Sequence, residues 1–268
     1  MGELKGPILF TGSIGNIRVY YSPTLKRYIV STKGGQTKEA IKNSPVFARQ
    51  RENMQEFKAC SKWASQLRRS LISIDHFHQG YYFSEIIALA KTIQKHDDVN
   101  VRGTRFIESS KDAQYLKTLN FNRMHPFDQI FSSQFETLFS DDKKTVTLKL
   151  MDFRSINRIK WPVRFESYRI ALVIAQIPDF VWNELDKDYQ PILPNLQRLS
   201  VVTFSDWHQR STEPEDIILS ASFAQPSLQQ PGTTVVVAMG IEVSIDRGVL
   251  PSETSSGSGT MKIVECFV

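Results

Sequence analysis

The sequence predicts an α+β protein: an N-terminal β-hairpin and helices packed with a C-terminal antiparallel β-sandwich. Three observations predict it. Two β-branched and aromatic runs, IRVYY and RYIVS, flank the turn-rich SPTLK near the start. Apolar residues then recur at helical spacing from Phe47 to Leu71. From Thr145 onward the period changes, and short alternating runs are separated by Pro, Gly and polar turns. The expected units are residues 1–140, a basic hairpin plus helical module, and residues 141–268, the sandwich. Hairpin strands that joined the sandwich would make these one domain.

Element by element, Gly12 and Gly15 before the hairpin and Gly34-Gly35 after it mark tight turns. Ser44 is expected to cap the long helix, with Pro45 in the first helical position, where a missing N–H costs nothing. Phe47, Met54, Phe57, Ala64, Leu67 and Leu71 are expected on its apolar face, with Trp63 beside them. SEIIALAKTIQKH reads as a second helix capped by Ser84, VNVRGTRF as strand-like, and DAQYLKTL and PFDQIFSSQFETLF as further helices. TVTLKLMDF, SYRIALVIAQI, LSVVTFSDW, DIILSASF, TVVVAMGIEVSID and MKIVECFV are the expected strands. In the fifth of these, Val235, Val237, Met239, Ile241, Val243 and Ile245 share one face, so a half-buried strand is expected. PSETSSGSG, residues 251–259, is a flexible loop by composition.

Composition narrows the function classes. Apolar residues at 41% and charged residues at 23% are ordinary for a globular protein, which argues against a disordered or fibrous chain. No apolar run reaches the roughly 18 residues of a membrane span, and the first residues lack a basic segment followed by an apolar core. Cys60 and Cys266 are far apart and fit no metal spacing, so they read as buried thiols in a cytoplasmic protein. The charge of +5 is uneven: residues 1–70 hold thirteen Lys or Arg against four acids, a net +9, which leaves −4 for the rest. An anionic partner for the first part is the expectation, either nucleic acid or an acidic protein surface.

Arg18, Lys26, Arg27 and Lys33 lie close in sequence to Tyr20, Tyr21 and Tyr28, and Arg49 and Arg51 follow on the helix. Cations interleaved with stacking surfaces suit single-stranded or duplex nucleic acid. The same residues also suit a protein surface, which is the preferred reading. Arg154, Arg158, Lys160, Arg164 and Arg169 around Trp161 form a second basic group that reads as strand borders. For metal, His76 and His78 beside Asp75 are the candidates, because alternate residues of an extended segment point the same way. The spacing specifies no third ligand, so a polar segment after a helix is the preferred reading. His96-Asp97-Asp98 reads as a polar helix end before a carboxylate-supported base, and neither His125-Pro126 nor Trp207-His208 comes with a nucleophile. No G-x-S-x-G elbow, P-loop or dinucleotide fingerprint occurs, and no cofactor is expected.

LKGPILFTGSIGNIRVYY at the start, KGG at 33–35, IKNSPVFARQRENMQEF at 41–57, VRGTRF at 101–106, LKTLNFNR at 116–123 and GIEVSID at 240–246 keep order along the chain. In these segments the sequence resembles a protein family widespread in Bacteroidetes genomes. The resemblance implies one coherent architecture with a constant hairpin-plus-helix start. It implies no activity, cofactor or catalytic residue. The expected function is therefore a non-enzymatic structural or protein-interaction component, self-associating or bound to a protein partner, of the kind found in phage-like assemblies. The alternatives are a nucleic-acid binder using the basic module and a metal-dependent hydrolase using His76 and His78.

Overall fold

The computed structural model describes residues 2–6, 9–32, 34–71, 77, 82–193, 200–224, 231–244 and 258–268. The chain divides into two compact units, Met1–Arg51 and Glu52–Val268. The division thus falls near the start of the long helix, not near residue 140. The physical reason is that the helices after it bury their apolar faces on the C-terminal sheet, as shown below.

In the first unit, β1 (Gly2–Glu3), β2 (Gly12–Ile14), β3 (Ile17–Ser22) and β4 (Arg27–Thr32) form one antiparallel sheet in the order β1-β4-β3-β2. The expected hairpin is β3–β4, and it pairs with β1 and β2 in a sheet of its own. Gly15 and Asn16 make a two-residue connection between Ile14 and Ile17, with Gly15 at φ 55°. That is the first central position of a II′-type hairpin turn, where a side chain is disfavoured. A short helix absent from the sequence reading, α1 (Lys38–Asn43), starts at Thr37, whose hydroxyl accepts from the Ala40 N–H at 3.1 Å. Ser44 and Pro45 stand at the head of a single 3-10 turn, Pro45–Phe47, that leads into α2 (Ala48–Ser70).

The second unit has three layers. The central one is a five-stranded antiparallel sheet in the order β10-β7-β13-β14, with β11 also pairing β7. Its strands are β7 (Ser167–Pro178), β10 (Ser200–Phe204), β11 (His208–Gln209), β13 (Thr233–Ser244) and β14 (Gly259–Phe267). One face of it meets α2 and α3 (Tyr82–Lys95): Ala171, Val173 and Ala175 of β7 and Val236 and Ala238 of β13 share a cluster with Trp63, Leu67, Ile86 and Ile93. The alternate residues face a second sheet, β12-β6-β5, built from β5 (Glu136–Phe139), β6 (Thr145–Phe153) and β12 (Glu215–Ser222). Here Ile170, Leu172, Val237 and Met239 pack with Val146, Leu148, Ile217 and Leu219. Two sheets closing over one apolar layer is sandwich geometry, and the helices add a third layer.

This layering corrects the reading of β13. Its alternation looked half-buried, yet every residue from Thr233 to Val243 is buried, because helices cover the face that carries Val236, Ala238 and Gly240. Glu242 on that face is tolerated because Arg169 Nε reaches its carboxylate at 2.7 Å. The buried face of α2 is likewise shifted: Glu56, Ala59, Cys60, Trp63, Ala64 and Leu67 are inside, whereas Met54 and Phe57 are exposed. The α3 helix begins at Tyr82, two residues before the expected Ser84 cap.

VNVRGTRF is a loop, not a strand. The Asp97 carboxylate accepts from the N–H groups of Val99 and Asn100 at 3.0 Å and of Phe106 at 2.7 Å, which winds the segment around it. DAQYLKTL holds the one-turn helix α4 (Ala113–Leu116). In PFDQIFSSQFETLF, α5 (Phe127–Ile130) is a single turn, and the last four residues, Glu136–Phe139, become β5. One more turn, α6 (Ser155–Arg158), follows β6, and a hairpin the sequence reading missed, β8 (Phe180–Asn183) with β9 (Asp188–Pro191), follows β7. Residues 251–257 of the expected flexible loop lie outside the described residues.

Candidate functional site

Strand register decides which of the predicted binding residues can act together. Side chains alternate across a sheet, and the pairs Val19↔Val30, Tyr20↔Ile29 and Tyr21↔Tyr28 therefore sort the hairpin into two faces. Arg18, Tyr20 and Arg27 share one face with Ile29 and Glu3. Arg18 lies over the Tyr20 ring at 5.5 Å, and Arg27 pairs with Glu3 at 3.5 Å. Tyr28 is on the opposite face, edge-on to Tyr21 at 5.2 Å. The predicted cluster is thus divided. Lys26 occupies the connecting turn at φ 50°. Arg51 is committed within the unit, donating to the carbonyls of Ile41 at 2.7 Å and Ser44 at 2.8 Å, and Arg49 also has an interaction partner. Lys33, His76 and His78 lie outside the described residues.

The face that carries Tyr21 and Tyr28 is notable for what it leaves uncovered. Ile14 (66% exposed), Ile17 (47%) and Tyr21 (46%) run along it through neighbouring strands. Among the described residues of this unit, the buried apolar side chains are Val19 and Ile29, one on each face. Among the described residues, β2 pairs with β3 only from Ile17 to Val19, and β1 pairs with β4 only at Ile29 and Val30, with the Leu4 N–H adding one bond to the Tyr28 carbonyl at 3.0 Å. Residues 1–51 carry nine Lys or Arg against two acids, a net +7.

Three polar clusters in the second unit were not legible as constellations. Glu56 is fully buried on α2 and accepts from Arg105 Nε at 2.7 Å and Nη2 at 2.8 Å, from the Gly103 N–H at 3.0 Å, and from Lys91. Burial pushes this carboxyl up, but those four donors outweigh it and hold the pKa at about 2. A second cluster joins Tyr168, Glu215 and His208: the Tyr168 hydroxyl and the His208 Nδ1, the latter at 2.9 Å, meet the two oxygens of one carboxylate. Burial, then the adjacent Glu215, pushes the Tyr168 phenol up, so it stays a donor. Ser155 beside it is committed to Ser211, accepting from its N–H at 2.9 Å and donating to its carbonyl at 3.3 Å. This end of the sheet therefore fixes an imidazole without bringing it a free nucleophile among the described residues. The third cluster is Asp179, which accepts from Ser109 and Ser110 and pins the start of β8 to the 107–110 segment.

The remaining sequence candidates resolve into local contacts. His96 Nδ1 sits 2.8 Å from Asp112, and Asp97 organises the loop described above. The basic group around Trp161 is dispersed: Arg154 pairs with Asp152, Arg158 donates to the Ser132 carbonyl, and Arg169 lies over Phe204 and Trp207 at 4.3 and 4.9 Å. Burial pushes both thiols up, Cys60 to about 11 and Cys266 to about 12, so neither is poised as a thiolate. Among the described residues, no group of three or more His, Cys, Asp or Glu is placed to hold a metal ion, and no helix is long and apolar enough to cross a membrane. No family model, curated protein or solved structure matches the chain.

Proposed function

We propose that this chain is a non-enzymatic interaction component that self-associates through its N-terminal sheet. The observation that carries the reading is the exposure of Ile14, Ile17 and Tyr21 on one face of the sheet, where among the described residues Val19 is the buried apolar side chain. A sheet needs a well-buried face for independent stability, and a short-edged hairpin offers unpaired backbone for strand addition. A second copy of the chain supplies both a matching apolar face and a matching edge. The Bacteroidetes family resemblance, with its constant hairpin-plus-helix start, is consistent with a conserved contact module, and assembly into a larger particle is the natural extension.

Light scattering of the full chain tests this. The expected mass exceeds that of one chain, and Ile17→Thr with Tyr21→Thr returns it to a monomer without loss of folding, since both positions are exposed and Thr suits a strand. A wild-type monomer at all concentrations sinks the reading.

A second reading has its own observation. Arg18 over Tyr20, with Arg27 on the same face and a unit charge of +7, suits a nucleic-acid strand. Binding of a random oligonucleotide that weakens steeply with salt, and that Arg18→Ala with Arg27→Ala abolishes, is its expected result. Absence of binding at low salt removes it.

A further inference from the structure

The α2 helix presents Lys58, Lys62, Gln66 and Arg69 along one stripe, at spacings of four, four and three, to a groove of about 620 Å³. The opposite wall is the β8–β9 hairpin, through Phe180, Tyr189 and Pro191. That volume lies within the roughly 300–1,000 Å³ of small-molecule sites. The charges in it do not cancel. Lys58 at 3.0 Å and Lys62 at 2.6 Å share one carboxylate, Asp188, and among the described residues no acidic side chain lines the groove itself. Three cations against one carboxylate leave two positive charges uncompensated.

A second observation is independent of charge. Gln66 is 6% exposed, and its Nε2 has no hydrogen-bond partner. Buried side-chain donors are ordinarily paired. The nitrogen itself is sealed from solvent, so rotation of the Gln66 side chain, which lines the groove, is what presents this unpaired donor to a ligand's acceptor.

We infer that this groove binds the phosphate of a small organic phosphomonoester. At neutral pH such a group carries close to two negative charges and three strong acceptor oxygens. It therefore matches both the uncompensated charge and the donors, which are the Arg69 guanidinium and the Gln66 amide. The Phe180–Tyr189–Pro191 wall receives the organic part. This site is separate from the N-terminal sheet and does not depend on self-association.

Isothermal titration of the full chain in phosphate-free buffer tests it, with phenyl phosphate, inorganic phosphate and benzoate as probes. Phenyl phosphate is expected to bind, and benzoate at least about tenfold more weakly. Arg69→Ala, at an exposed position, is expected to weaken phenyl phosphate at least about tenfold while leaving the ligand-free Tm unchanged. Gln66→Leu is expected to weaken it as well and to leave the ligand-free Tm equal or higher, because a buried unpaired donor is removed. Equal binding of benzoate overturns the phosphate assignment. Binding unaffected by Arg69→Ala overturns the location, and no saturable binding of either phosphate probe at millimolar concentration overturns the site.

Discussion

Replacing Glu56 with Ala is expected to cost about 3–5 kcal/mol of folding stability, because it strands the Lys91 and Arg105 charges that Glu56 now neutralises. The same carboxylate ties α2 to the loop at Gly103, whose carbonyl in turn accepts from the Tyr189 hydroxyl at 2.9 Å. Loss of Glu56 therefore loosens the helix, the 97–107 loop and β9 together. Urea unfolding of the wild type and the variant measures the difference. Its pH dependence has a defined sign. The folded pKa is lowered from 4.5 to about 2, so the unfolded chain binds the proton more readily than the folded one. The stabilisation is complete above the unfolded value and is lost as pH falls from about 4.5 toward 2. The stability gap between the wild type and Glu56→Gln should thus shrink through that window. A gap that stays constant would mean the ion network contributes nothing to the acid branch.

Gly259→Ala is the second large expected effect. A Cβ at this position would lie 2.2 Å from Phe77 Cδ1, 2.5 Å from its Cε1, and 2.9 Å from the Ile241 carbonyl oxygen. The Phe77 ring is fully buried and already rests on Gly240, where a Cβ would come within 3.2 Å of it. The ring therefore has little room to yield, and overpacking is expected to cost about 3 kcal/mol, the upper part of the usual range. The obstacle is shared between two residues, so the effects should not add. In a Phe77→Leu background, Gly259→Ala is expected to cost less than half as much, a coupling of about 1–2 kcal/mol by double-mutant cycle. Additive costs would place the obstacle in the Ile241 backbone and not in the ring.

These two sites show different degrees of legibility. Phe77 stands between the two recognised helices, but nothing in its neighbourhood announces that two glycines, at 240 and 259, were left without side chains to receive it. Glu56 lay four residues before Cys60 on the helix, and the apolar pattern assigned Met54 and Phe57 to the inside instead. A glutamate within a helical repeat carries no local mark of burial. Burial of Glu56 is permitted only because Lys91 and Arg105, 35 and 49 residues away, converge on it. The basic N-terminal residues were visible as a composition, whereas their division between two faces of the sheet depended on the pairing of Tyr20 with Ile29 and Tyr21 with Tyr28. Lys58 and Lys62 stand one turn apart on α2, but Asp188 and the aromatic wall belong to the β8–β9 hairpin, which no local pattern links to that helix.

What the sequence determined by itself is the set of local elements: the N-terminal hairpin, the two long helices and the strand-rich second half. Period and turn chemistry encode these directly, since alternation and helical spacing are properties of neighbouring residues. Only the tertiary structure decided what covers each face. The β13 strand reads as half-buried because its second face carries Gly240 and Glu242, yet that face is sealed by helices, with Arg169 neutralising the glutamate. Coverage and charge pairing depend on groups distant in sequence, and a small or polar residue looks the same in a local pattern whether it meets water, a ring or a counter-ion.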